Sequence, residues 1–265
     1  MLVAACGDVV ANTITGGTAR TLASSDAGNS DAALSCADGS LEFRSFLLVK
    51  AQAHVGGNDY ALDQSEVDAA ISGFTTIVPA WVKKLSGGSL CFVPETYASP
   101  NALTSFTNTC GGPTPWTADV ADDLQALAPA GKYDSVFIVA PNGGSAGSCA
   151  YWPTSASNAS AFAYLDPPGA AGWQDPNHYI YEHVIWAWLI GFYGFYRNLS
   201  GVEPPAVPDP SHGSDYGYAR DQAPYSGWMT WYSDLLLRKV MQNGSASGLG
   251  EPAWSHGTIR AAAVQ

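Results

Sequence analysis

Residues 183–199, HVIWAWLIGFYGFYRNL, decide how this chain is read. They are the most apolar run in the sequence, and their length limits what they can be. Residues 184–196 are thirteen uncharged residues with Gly191 and Gly194 among them, whereas a helix that crosses a bilayer needs about 20. Extension backward meets Glu182 and His183, and extension forward meets Arg197. The run is therefore expected to belong to a core helix over residues 178–197, apolar on nearly every side because other elements cover it.

The flanking sequence supplies those elements. Residues 41–55, LEFRSFLLVKAQAHV, alternate at first and then run almost continuously apolar, as a buried strand does. Residues 63–88 open with Asp63-x-x-Glu66, a capping-box signature for a helix start. Pro79 should kink that helix or begin a second one, and Gly87-Gly88 end it. SLCFVPET (89–96) is the next strand, and TADVADDLQALAPAGKYD (117–134) is a short helix with Thr117 as N-cap. SVFIVAP (135–141) and SAFAYLD (160–166) are further strands. Strand, helix, strand, helix, strand predicts an α/β (α+β) fold, a layered mixed sheet around the apolar helix. The C-terminal half is expected to be mainly helical, with WMTWYSDLLLRKVM (228–241) as its last helix. Its Trp228, Trp231, Tyr232 and Leu235 recur at core-facing helical spacing.

Charge excludes one class of partner. The 23 acidic residues outnumber the 11 basic ones, for a net charge of −12, and a nucleic-acid binder needs a basic footprint to displace counterions from phosphate. Lys83-Lys84 and Arg238-Lys239 are the densest basic pairs, and both read as solvated helix faces.

The cysteines point to a compartment. Val3-Ala4-Ala5-Cys6 resembles the lipobox of bacterial lipoproteins, in which a small residue precedes a cysteine that is cleaved and lipidated. Only five residues precede Cys6, fewer than the basic and apolar regions of an export signal require. Residues 1–40 are otherwise Gly, Ser, Ala, Asp and Thr, a tether with little to bury, leaving residues 41–265 as one globular domain. Cys36, Cys91, Cys110 and Cys149 make an even set, suited to two disulfides in an oxidising compartment. They allow three pairings; Cys91–Cys110 is expected because it would staple the Gly/Pro-rich loop of residues 99–116. The expectation is an extracytoplasmic protein, a bacterial lipoprotein anchored at Cys6 or a secreted one.

Around the apolar helix the sequence resembles secreted zinc metallopeptidases of the HExxH (zincin) type. The parts that carry the resemblance are YDSVFIVAP (133–141), WAWLIGFYGFYRNL (186–199), PDPSHGSDYGY (208–218) and SGWMTWYSDLL (226–236), and it covers residues 41–241. In such relatives the helix reads His-Glu-Trp-Leu-His-Gly, and a downstream loop supplies a third zinc ligand. Histidines at i and i+4 share one helix face and chelate zinc through neutral imidazoles, while the glutamate takes the proton of the metal-bound water. Matched on that frame, Trp186 and Ile190 stand for the histidines and Ala187 for the glutamate. Indole N–H only donates, and isoleucine and alanine offer no lone pair. The resemblance thus implies a zincin-like fold whose metal site has become an apolar plug. It also implies a catalytically silent protein without a cofactor, and a binding or structural role toward a protein, peptide or glycan.

Two active alternatives stand beside that reading. A displaced zinc site could use His178 and Glu182, themselves i and i+4, with His212 from the downstream loop. A serine hydrolase could use Ser145, because Gly143-Gly144-Ser145-Ala146-Gly147 fits G-x-S-x-G after the strand SVFIVA. Asp166 or Asp175, and then His212 or His256, would complete its chain order. Against it, Pro141-Asn142 separate strand from motif, and no helical period follows.

Overall fold

The protein is described here from a computed structural model, over residue 36 and residues 39–107, 112–143, 148–151, 161–198, 209–222, 224 and 227–249. The long strand expected over residues 41–55 is broken at Ala51. Strand β1 covers Leu41–Lys50; β2 (Gln52–Val55) then folds back on β3 (Asn58–Ala61) as a separate antiparallel hairpin. Its two-residue turn is Gly56-Gly57, with φ of 61° and 80°, the left-handed pair that matches strand twist in a tight hairpin.

Helix α1 (Gln64–Ser72) starts where the capping box predicts. Asp63 accepts from the backbone N–H of Glu66, and the Glu66 side chain accepts from that of Asp63. A π-helical turn, Gly73–Ile77, joins it to α2 (Val78–Leu85), with Pro79 in the first turn where its missing N–H costs nothing. Gly73 is required there: a Cβ would lie 2.9 Å from the Trp173 carbonyl oxygen and run into the Tyr181 hydroxyl.

Strand β4 (Leu90–Ser99) pairs parallel with β1 along its whole length. A 3₁₀ turn at Thr117–Val120 leads into α3 (Ala121–Leu127). Thr117 is not the cap expected of it, because Asp119 takes the backbone N–H of Trp116 at 2.7 Å instead. Strand β5 (Ser135–Val139) lies parallel to β1 on its other side; next comes β6 (Cys149–Tyr151), and β7 (Ala161–Leu165) is parallel to β5. The sheet order is β4-β1-β5-β7-β6, with only the edge strand β6 antiparallel.

Both faces of this sheet are covered, which is why its strands read as near-continuous apolar runs. Phe43, Leu47 and Val49 of β1 face one layer with Phe92, Phe137 and Leu165, while Phe46 and Leu48 face the other with Val136, Ile138 and Phe162. The first layer holds α1, α2, the short α4 (Gly169–Gln174), α5 (Tyr179–Asn198) and α6 (Met229–Leu236). Helix α5 is the expected apolar helix, shifted by one residue. Helix α6 is shorter than residues 228–241 suggested. Arg238 adopts φ 55°, and the chain leaves helix for a hairpin of β8 (Val240–Gln242) and β9 (Ser245–Ser247). Among the described residues no helix is long and apolar enough to cross a membrane.

The pairing of cysteines differs from the expected Cys91–Cys110. Cys91 is bonded to Cys36, with Cα atoms 5.6 Å apart. Glu42 of β1 lies opposite Cys91 of β4, and a turn at Gly39 (φ 85°) just before β1 keeps Cys36 within reach of Cys91. Cys149 is also disulfide-bonded, and Cys110 lies outside the described residues. Of the tether expected over residues 1–40, residues 1–35 with Cys6 and residues 37–38 lie outside them too.

Trp188 is the keystone of the α5 layer, 2% exposed and edge-on to Phe43 and Phe92 with ring centroids 5.6 and 6.3 Å apart. Trp188→Ala should destabilise the fold by about 3–5 kcal/mol, the usual cost of emptying an aromatic core site. Urea unfolding followed by tryptophan fluorescence measures it, and a cost below about 1 kcal/mol would contradict this packing.

Candidate functional site

In parallel sheets, the space beyond the carboxyl ends of the strands is where side chains from different strands converge. Here it collects Asp166, just after β7, Ser148, just before β6, and the first turns of α5. The pairing Cys149↔Tyr164 sets Ser148 beside Asp166, and the Asp166 backbone N–H donates to Ser148 Oγ at 3.3 Å. His183, on the second turn of α5, brings Nδ1 to 2.9 Å from the same Oγ. Its Nε2 lies 3.7 Å from Glu182 Oε2. The Tyr179 ring packs edge-on against His183 at 5.1 Å, with the His178 ring 4.1 Å from Tyr179.

Burial sets the protonation of this cluster. Loss of water pushes His183 down to about 4, helped by the nearby His178 and Arg220, so its imidazole is neutral at pH 7. Desolvation pushes Asp166 up to about 6, against the hydrogen bonds of Asn142 and Tyr164. Glu182 is raised as well by burial, although the Tyr232 hydroxyl donates to its Oε1 at 2.6 Å and favours the charged form. A Cβ on Gly227 would lie 2.6 Å from Glu182 Cγ, so only glycine lets this loop close over the carboxylate.

The three positions of the replaced metal motif lie further along α5. Ala187 and Ile190 are buried, while Trp186 is partly buried against the core. Trp186 Nε1 donates to Ser211 Oγ at 3.1 Å, and Trp231 Nε1 of α6 donates to the Pro210 carbonyl at 2.8 Å. Two indoles from two helices thus hold the loop that was expected to supply a third ligand. The contact runs through Ser211, not His212. The His212 side chain is 53% exposed and lies 3.7 Å from Asp215.

The displaced zinc site is not assembled. His178 Nδ1 accepts the Ile180 backbone N–H at 3.3 Å, Glu182 is engaged by Tyr232, and His212 faces solvent. Among the described residues no three His, Cys, Asp or Glu side chains are grouped to hold a metal. Ser145 and His256 lie outside the described residues. Asp175, the other acid considered for a serine hydrolase, accepts the Asn177 backbone N–H at 2.9 Å in the turn before α5.

Ser148 went unnoticed in the sequence. It sits three residues past Ser145 at the start of an edge strand too short to show a period, and its partner His183 lies 35 residues away. No known protein-family model matches this chain, and no curated protein does.

The two shifted groups make opposite demands on stability. Folded Asp166 holds its proton more tightly than the unfolded residue at 3.8, so stability falls as pH rises from about 4 to about 6. For His183 the unfolded chain, at 6.5, binds the extra proton, so stability rises from about pH 4 to 6.5. Asp166→Asn should therefore gain stability relative to wild type between pH 4 and 6, and His183→Gln should lose it, with slopes approaching about 1.4 kcal/mol per pH unit. Urea midpoints at half-unit pH steps check both; curves parallel to wild type would mean that neither group is desolvated as described.

Proposed function

We propose that this protein is a catalytically silent relative of secreted HExxH zinc metallopeptidases, held outside the cytoplasm, whose role is to bind or to scaffold. The observation that carries this reading is the Trp186 indole, which donates to Ser211 at the position where the first zinc-ligating histidine is expected. A group that can only donate a hydrogen bond occupies the ligand position, and its donor is already spent on the facing loop. Ala187 and Ile190, where a base and a second ligand are expected, are buried apolar side chains. These residues do not fit a metal.

The architecture supports the reading. A five-stranded mixed sheet over an apolar central helix is the layered arrangement that the resemblance implies. The downstream loop also reaches the helix at the replaced motif. Burial of Ile190 stabilises the fold by roughly 1.5–3 kcal/mol, and the partly buried Trp186 packs against the same core. The replaced motif leaves recognition, not metal-dependent proteolysis, to this region. The net charge of −12 favours a neutral or basic protein or peptide, or a glycan, over a nucleic acid. The lipobox-like Cys6 and the bonded Cys36 and Cys91 support an oxidising, extracytoplasmic location.

Protein purified without chelators should carry no stoichiometric zinc by elemental analysis and should show no chelator-sensitive peptidase activity. Introducing Trp186→His, Ala187→Glu and Ile190→His together should create zinc binding detectable by calorimetric titration. A folded triple variant that ignores zinc would sink the family frame, and peptidase activity of the wild type that is lost to a chelator would sink the silent reading.

A further inference from the structure

We propose that Ser148 and His183 form a nucleophile–base dyad that hydrolyses short, uncharged carboxylic esters, an activity separate from the replaced metal motif. The hydroxyl is already arranged for it. Ser148 Oγ accepts the Asp166 backbone N–H at 3.3 Å, which occupies a lone pair and leaves the hydroxyl proton free to point at His183 Nδ1, 2.9 Å away. The imidazole is neutral at pH 7, so Nδ1 can accept that proton while Nε2 carries its own. Two elements of unrelated position bring the pair together: the antiparallel register of β6 on β7 and the second turn of α5.

The arrangement is a dyad and not a triad. Glu182 Oε2 stands 3.7 Å from Nε2, beyond hydrogen-bond reach, and its Oε1 is engaged by Tyr232. Access selects the substrate. Ser148 is 8% exposed, whereas the His183 side chain is 27% and Tyr179 44% exposed, so approach is from the His183 side past an aromatic ring. An approach past the Tyr179 ring favours a small acyl group, and the acidic Asp166, whose backbone N–H meets the serine, disfavours an anionic one.

The chemistry closes without a co-reactant beyond water. Ser148 Oγ bonds to the ester carbonyl carbon as its proton passes to His183 Nδ1. The bond from that carbon to the alcohol oxygen then breaks, and His183 returns the proton to the departing alkoxide. Water attacks the acyl-serine by the same route, giving the carboxylic acid and restoring the hydroxyl.

The test uses a fluorophosphonate probe on the full chain with its disulfides intact, in which Oγ displaces fluoride from phosphorus. Peptide mapping by mass spectrometry should place the adduct on Ser148. Ser148→Ala should abolish both the adduct and p-nitrophenyl acetate hydrolysis. His183→Gln should slow labelling by about 100-fold or more, the usual contribution of a general base. Absence of labelling, or an adduct on Ser145 instead, overturns the proposal, as does an unchanged rate in a His183→Gln variant with native near-ultraviolet circular dichroism. Labelling should persist in a chelator, so this outcome is independent of the zinc experiment on the silent reading.

Discussion

The described part of this molecule is organised by the need to bury both faces of a sheet and the apolar side chains of one helix. Phe43 and Phe92 stand opposite each other on parallel neighbours, and Trp188 of α5 meets both edge-on. Edge-to-face contact aligns the positive rim of one ring with the negative face of another, so it fixes orientation as well as removing surface from water. Once Trp188 is seated, the rotation of α5 is set. Helical periodicity then dictates that Trp186 turns toward the downstream loop and that His183 turns toward the start of β6.

Polar groups close the edges of this apolar seam. Glu182 and Tyr232 tie α5 to α6 by a buried hydrogen bond, and breaking such a pair from one side costs more than the pair contributes. The indoles of Trp186 and Trp231 hold the Ser211 and Pro210 end of the loop. On the far side of the sheet, Lys50 at the end of β1 bridges to Asp123 of α3 and to Ser99 of β4. The carboxyl ends of β1 and β4 are thereby closed by a satisfied ion pair. Beyond the ends of β5 and β7 stand Asp166, the buried Ser148 and the mostly buried His183. That asymmetry gathers titratable groups with shifted pKa values beyond those two strand ends.

Much of the fold was legible because local rules and tertiary structure agree. The Asp63–Glu66 capping box, the Pro79 restart and the apolar run of β5 each state a local preference that nothing in the packing opposes. Where reading failed, a distant partner decided. Cys91 pairs with Cys36 because β1 lies beside β4 and the chain turns just before it, which no spacing between cysteines encodes. Helix α6 stops early because Arg238 takes a left-handed conformation that leads into a hairpin. Thr117 yields its capping place to Asp119, whose carboxylate gathers backbone N–H groups from two segments.

The sequence by itself determined the layered α/β class, the core character of α5 and the chemical inability of Trp186, Ala187 and Ile190 to ligate a metal. Those are properties of composition, periodicity and functional groups, and they hold wherever the residues lie. Only the tertiary structure decided that Ser211 meets Trp186 while His212 faces water, and that Ser148 meets His183. Each of these contacts joins segments whose meeting depends on strand register and helix rotation, and both are set by the burial of aromatic rings in the core.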